Sequence, residues 1–331
     1  MENVGRDEFW DVTKALLIFT VVLGHTLEIN VDNRISLACY NTIYTFHMPL
    51  FVFLSGYFSK KYSDISSFWR SSGKILETYL VFQILSISIE CFLDNKQFSI
   101  SSFFCPQWAV WYLLSLFWWK CLLQIRIPLI ERNWKVALFV CVCIGLIVGF
   151  VPIGSPLSFQ RTFSMFPYFM LGYYAKSIEI KKYLPNVFWG ILGLLVFFAF
   201  YFILNEDFRN IIYGKSPYKA METCVYRFVW YIMAILLSYC FLICVNKIRC
   251  NDLLLYIGRN TLFVYVYHTF CVRILKYIVP NYDLPDSIPF VLIYSVTIFF
   301  VVVLLSRIKV LKMLLNPITF LRKNKKLGSY I

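Results

Sequence analysis

Charge is scarce in this sequence, and acidic charge scarcest: 15% of its 331 residues are charged, with 18 Asp and Glu against 32 Lys and Arg. So thin a charged complement excludes an ordinary soluble domain, in which about a quarter of residues are charged. No polar stretch is long enough to fold as a soluble unit between the apolar runs. A nucleic-acid-binding domain therefore has no place here, despite a net charge of +14. Histidine is rare, at three residues, and the eleven cysteines include no C-x-x-C pair. Cys141 and Cys143 lie close together, but in an apolar run without nearby histidines. No metal site and no disulfide framework is expected from such spacing, and most cysteines read as small apolar packing residues. A P-loop, a GxGxxG motif and an internal repeat are also missing.

What is abundant is apolar: 60% of residues are hydrophobic and 20% aromatic, with a mean hydropathy of +0.67. Apolar runs long enough for a hydrocarbon core of about 30 Å recur along the chain. They predict an all-α, polytopic transmembrane helical bundle of about ten spans: 11–28, 40–59, 75–93, 108–125, 134–151, 163–176, 187–204, 222–245, 254–279 and 288–306. The sixth is short and suits a buried position. Basic residues gather in alternate loops, among them Lys60, Lys61, Arg70, Lys74, Arg126, Arg132, Lys181, Lys182, Lys247 and Arg249. The positive-inside rule then places both termini in the cytoplasm. The first apolar run carries Asp11, Lys14 and His25 and lacks a small-residue cleavage site, so it reads as an uncleaved span. The expected organisation is a transmembrane domain over 1–306 and a basic cytoplasmic tail over 307–331.

Ionisable groups inside spans are costly, which makes them functional candidates. Asp11, Lys14 and His25 fall on one stripe of the first helix at 100° per residue, with Lys14 and His25 about 16 Å apart along its axis. A long, thin, anionic substrate would fit such a stripe. Interfacial pairing of Asp11 with Lys14, with His25 reaching the headgroups, explains the same residues more plainly. His47, seven residues below the outer end of the second span, comes to nearly the depth of His25. It is either part of a site or a donor to a carbonyl freed by Pro49. Ser55 and Gly56 read as small residues for close helix packing.

Five stretches, taken in order, resemble the acyltransferase 3 family: "RDEFWDVTKALLIFTVVLGH" (6–25), "FHMPLFVFLSGYF" (46–58), "WYLLSLFWW" (111–119), "RTFSMFPYFMLGYY" (161–174) and "YIGRNTLFVYVYH" (256–268). The second and fourth are similar to its fucose 4-O-acetylase-like branch. The resemblance covers nearly the whole chain. It implies an integral-membrane O-acetyltransferase that moves an acyl group, usually acetyl from acetyl-CoA, onto a carbohydrate hydroxyl. It also implies a functional histidine at His25 and supporting roles for Arg6, Asp11 and Lys14. A basic motif is implied near Arg70 and Lys74, although the family's arginines are often three apart and these two residues are four apart. His268 matches a terminal histidine by position.

Physical reading agrees with that implication. Coenzyme A is polyanionic at its nucleotide end, so Lys60, Lys61, Arg70 and Lys74, with Arg6, form a candidate phosphate-binding cluster. Topology alone also explains lysines there. His25 would act as general base, or would carry the acyl group itself. For the acceptor, His47, Trp111, Tyr112, Arg161, Arg227 and Glu222 map near outer span ends, where aromatic belts are also common. The expected partners are a cell-surface glycan, such as a capsule or exopolysaccharide, or a lipid-linked oligosaccharide, together with membrane lipids. Protein partners considered are a second copy or polysaccharide-synthesis machinery. Two rival readings stand beside this one: a glycan transporter or flippase, and an acyl donor to a separate transferase. Succinyl transfer satisfies the same residues as acetyl transfer. The expected location is a bacterial cytoplasmic membrane.

Overall fold

Helix starts are written locally. Asp7, Asn33, Asn133, Asn186 and Asn251 each precede an apolar run, and each side chain accepts a backbone N–H of the first turn. Such caps satisfy donors that the helix leaves open. In the computed structural model the described residues are 7–93, 97–125, 133–153 and 156–319, and their regular structure is entirely helical.

The principal helices in chain order are α1 (Glu8–Leu27), α2 (Arg34–Tyr57), α3 (Ile65–Leu93), α4 (Ile100–Phe104) and α5 (Trp111–Gln124). Next come α6 (Trp134–Ile147), α7 (Phe159–Tyr174), α8 (Val187–Leu204), α9 (Arg209–Tyr213) and α10 (Glu222–Val245). The chain continues with α11 (Asp252–Arg259), α12 (Thr261–Asn281), α13 (Ile288–Leu305) and α14 (Lys309–Leu315). Seven of these, α1, α2, α3, α8, α10, α12 and α13, are individually long and apolar enough to cross a membrane. The segments expected as the fourth, fifth and sixth spans form the shorter helices α5, α6 and α7.

Two boundaries differ from expectation. The third helix begins at Ile65, so Arg70 and Lys74 ride on it and do not precede it. The ninth apolar run is two helices, α11 and α12, broken at Asn260. The Asn260 amide donates to the Tyr256 carbonyl at 2.7 Å, the local side-chain-to-backbone bond by which asparagine competes with helical pairing.

Burial sorts the bundle. In the most apolar window of α2, 78% of residues are buried, against 11% in α8, so α2 is core and α8 faces lipid. α1 packs against α2, α11, α12 and α13. α7, expected to be buried, is lined on most of its length by buried residues. It meets α2 through a reciprocal glycine contact: a Cβ on Gly56 would collide with the Phe169 carbonyl, and one on Gly172 with the Phe53 carbonyl. Only backbone against backbone permits that approach. Gly258 similarly admits the Asp11 carbonyl, which seats α11 against the start of α1.

Candidate active site

α1 ends at Leu27, and the first residue beyond it organises the site. The Glu28 carboxylate lies 3.2 Å from His25 Nδ1 and accepts from the Tyr44 hydroxyl at 2.5 Å. It accepts from Tyr213 at 3.3 Å, and its second oxygen pairs with Lys276. Tyr44 also touches His25 Nδ1 at 2.8 Å. A carboxylate only accepts, so Tyr44 spends its proton on Glu28 and His25 must present Nδ1–H to the pair. That tautomer leaves the lone pair on Nε2. Gly24 makes room for the arrangement, since a Cβ there would stand 2.9 Å from the Tyr44 ring. Burial, and then the Glu28 charge, push the Tyr213 phenol up to about 12, so it stays a neutral donor.

All three histidines of the chain converge here. The His268 ring centroid lies 5.4 Å from that of His25, and His47 meets the Tyr44 ring edge-on at 4.6 Å. His47 Nδ1 lies 2.8 Å from the Ile43 carbonyl and His268 Nδ1 lies 2.9 Å from the Val264 carbonyl. Each contact requires Nδ1–H and leaves Nε2 unprotonated. For His47 this corrects the sequence reading: Pro49 frees the carbonyl four residues back, at Thr45, whereas the histidine binds that of Ile43. Among the described residues the buried Nε2 of His268 has no hydrogen-bond partner.

His47 and the relay around Glu28 face a cavity of about 380 Å³, whose lining does not include His268. His25, Glu28, Tyr44, His47, Trp111 and Arg161 contribute to its walls. One rim residue, Trp108, is left-handed at φ 43°. Its Nε1–H donates to Glu90 at 3.0 Å and its ring carries the Arg273 guanidinium, contacts that hold an otherwise unfavourable conformation. A second cavity, about 300 Å³, opens at the Lys14 end of α1. Lys14, Ser55, Ser59, Thr78, Tyr112 and Lys120 line it, with Phe51, Leu54 and Phe58. Tyr265 lines both. Its hydroxyl donates to the Ala109 carbonyl at 2.5 Å, while the Tyr112 and Ser55 hydroxyls lie 2.5 Å apart beside it.

The sequence-derived candidates separate accordingly. His25, His47, Trp111 and Arg161 line the first cavity, and Lys14 and Tyr112 line the second. Asp11 lines neither; it is buried, bonded to Lys14 at 2.7 Å and 3.6 Å from Arg259. Lys60 is exposed, and it stacks with Lys120 on the Tyr62 ring at the mouth of the second cavity. Lys61 is half-buried, and Arg70 and Lys74 are exposed outside the cavity lining. Arg6 lies outside the described residues.

Arg227 and Glu222, both candidates near the outer end of one span, do not meet. Five residues on a helix turn through about 140°, which points the two side chains apart. Glu222 is exposed, whereas Arg227 is buried over the Tyr218 ring and reaches the Gly145 and Ser216 carbonyls at 3.4 and 3.5 Å. Neither lines either of these two cavities. Sequence reasoning missed Glu28, Tyr44, Tyr213, Lys276, Lys120 and Tyr265. Only Glu28 carried a signal, as an acid one helical turn beyond His25.

A family model for an acyltransferase domain matches residues 7–307. Nodulation protein NolL of Sinorhizobium fredii (strain NBRC 101917 / NGR234) is 42% identical over 73 residues, which is 21% of this chain and 20% of that protein. The chain thus aligns with about a fifth of the curated relative it matches. No solved structure matches. With the family model spanning the bundle from the first helix cap to the last long helix, this chain belongs to the acyltransferase 3 family of integral-membrane O-acyltransferases.

Proposed function

We propose that the protein transfers an acetyl group from acetyl-CoA, received at the Lys14 cavity, to a hydroxyl of a cell-surface polysaccharide or its lipid-linked precursor, received at the His25 cavity. The observation that carries this reading is the His25–Glu28–Tyr44 arrangement: an imidazole with Nδ1 locked and Nε2 open, in a cavity that shares the wall residue Tyr265 with a second, cationic cavity.

Acetyl-CoA supplies an activated thioester. The second cavity suits it: apolar walls fit a thin pantetheine arm, and Lys120 meets only the Tyr62 and Ser71 hydroxyls, each at 3.4 Å. No carboxylate pairs with Lys120 among the described residues, which leaves its ammonium for phosphate. In the first cavity His25 Nε2 takes the proton of the sugar hydroxyl as that oxygen bonds to the acyl carbon, and returns it to sulfur as the carbon–sulfur bond breaks. Glu28 stabilises the transient imidazolium and holds the ring, while Lys276 supplies the counter-charge of the carboxylate. A capsule or exopolysaccharide of a bacterial cytoplasmic membrane system is the acceptor setting we infer.

The test is transfer of radiolabel from acetyl-CoA to candidate glycans by protein purified in lipid vesicles. His25→Ala should lower transfer by about 10² to 10⁴-fold, the range for loss of a general base. Movement of glycan across the vesicle membrane without acylation would overturn the assignment in favour of a carrier.

A further inference from the structure

Cations outnumber acids around the His25 cavity. Arg161, Lys215, Arg273 and Lys276 line it, against one carboxylate, Glu28, which Lys276 already engages. Arg161 and Lys215 concern us most. The Arg161 guanidinium sits 4.8 Å from the Trp111 ring centroid and 5.5 Å from that of Tyr213. Lys215 approaches the same Tyr213 ring at 5.2 Å. Among the described residues neither has a carboxylate partner, and the buried Arg161 Nε has no hydrogen-bond partner at all.

Two cations on one phenol ring repel each other, and aromatic faces return only about 0.5 to 2 kcal/mol per contact. A guanidinium drawn out of water without counter-charge is costly. Burial, and then the Arg161 charge, hold the Lys215 ammonium below its ordinary value, the sign expected where a counter-anion is missing. The chain keeps both groups beside the relay nonetheless: Tyr213, between them, donates to the same Glu28 carboxylate that fixes His25. An anion held by Arg161 and Lys215 would therefore lie one aromatic ring from the reacting hydroxyl.

We infer that the acceptor is an anionic glycan, and that Arg161 and Lys215 select it by binding a carboxylate or phosphate carried on the sugar that is acylated or on its neighbour. This rests on the reading of the His25 cavity as the acceptor site. Arg161 offers a planar fork matched to either anion and Lys215 a point charge. Specificity would follow from the two unpaired cations: a neutral sugar leaves both without a counter-ion, which penalises the wrong substrate more than it rewards the right one.

The test is a set of binding titrations on the full chain in detergent with four probes: methyl β-D-glucuronide, glucose 1-phosphate, methyl β-D-glucoside and inorganic phosphate. We expect one charged sugar to bind at least tenfold more tightly than the neutral glucoside. That preference should disappear in both Arg161→Gln and Lys215→Gln. The glucuronide and the sugar phosphate distinguish an acidic polysaccharide from a phosphate-linked precursor. Equal affinity for the neutral glucoside overturns the inference, as does a preference that survives both substitutions. Binding of inorganic phosphate as tight as that of either charged sugar, or displacement of the charged sugars by acetyl-CoA, also overturns it by assigning the cations to a bare anion or to the donor. A charged-sugar preference in protein that transfers no acyl group supports the anion site and removes the acyl-transfer reading alone.

Discussion

At the His25 end of α1, polar groups satisfy one another in a closed relay: imidazole, two phenols, carboxylate and ammonium, all within direct contact. At the Lys14 end, 11 residues and about 16 Å away, no such relay joins the polar groups of the second cavity: Lys14 pairs with Asp11, Tyr112 with Ser55, and Lys120 touches hydroxyls at the long limit of hydrogen bonding. A relay fixed before any ligand arrives suits chemistry, because orientation need not be purchased during the reaction. Loosely held cations on apolar walls suit capture of a flexible molecule that is apolar along its length and charged at its end. The contrast supports the proposed division, with reaction at one cavity and reception at the other.

The sharpest way to break the contrast is Glu28→Gln. An amide can donate as well as accept, so His25 loses its fixed tautomer; acyl transfer should fall by about 10²-fold with KM for both substrates nearly unchanged, as steady-state kinetics will show. A rise in KM instead would put Glu28 in binding. Lys120→Ala should act in the opposite way, raising KM for acetyl-CoA by about tenfold, the value of one charge-assisted hydrogen bond, with little change in kcat. Tyr265→Phe tests the wall between the two: loss of its bond to the Ala109 carbonyl should cost about 1 kcal/mol, read as roughly fivefold faster thioester hydrolysis without acceptor if water gains entry. The smallest effect on activity is expected from Arg227→Gln. Outside the lining of both cavities, it should lower thermal stability and leave both KM values nearly as they were.

The polar stripe of α1 was legible because helical periodicity alone places Lys14 and His25 on one side, and each now lines a cavity. The short, buried character of α7 was legible from its length. The relay was not. Lys276 meets Glu28 across 248 residues of chain, a juxtaposition that no local pattern encodes. Lys120 looked like an isolated charge in an aromatic run, and only packing of α5 against α3 brings it to Tyr62 and Ser71. Arg227 lies outside the lining of both cavities for the complementary reason: its depth along α10 could be read, but the side of the helix it occupies depends on neighbours far away in sequence. Likewise the break at Asn260 interrupts a run whose hydropathy is continuous, since a single side-chain amide suffices to take one carbonyl out of the helix.

Were the proposed route from the Lys14 cavity to the His25 cavity a continuous file of water, it would conduct protons and threaten the electrochemical gradient of the membrane. Two phenols close that line here, Tyr265 tied to a backbone carbonyl and Tyr112 to a serine, with their ring centroids 5.2 Å apart. A slender thioester arm can part such rings and refill the gap with its own carbon, whereas solvent alone gains nothing by doing so. On the proposed function, insulation and passage would be reconciled in one pair of side chains, and the acyl donor itself would serve as the plug while the passage is open.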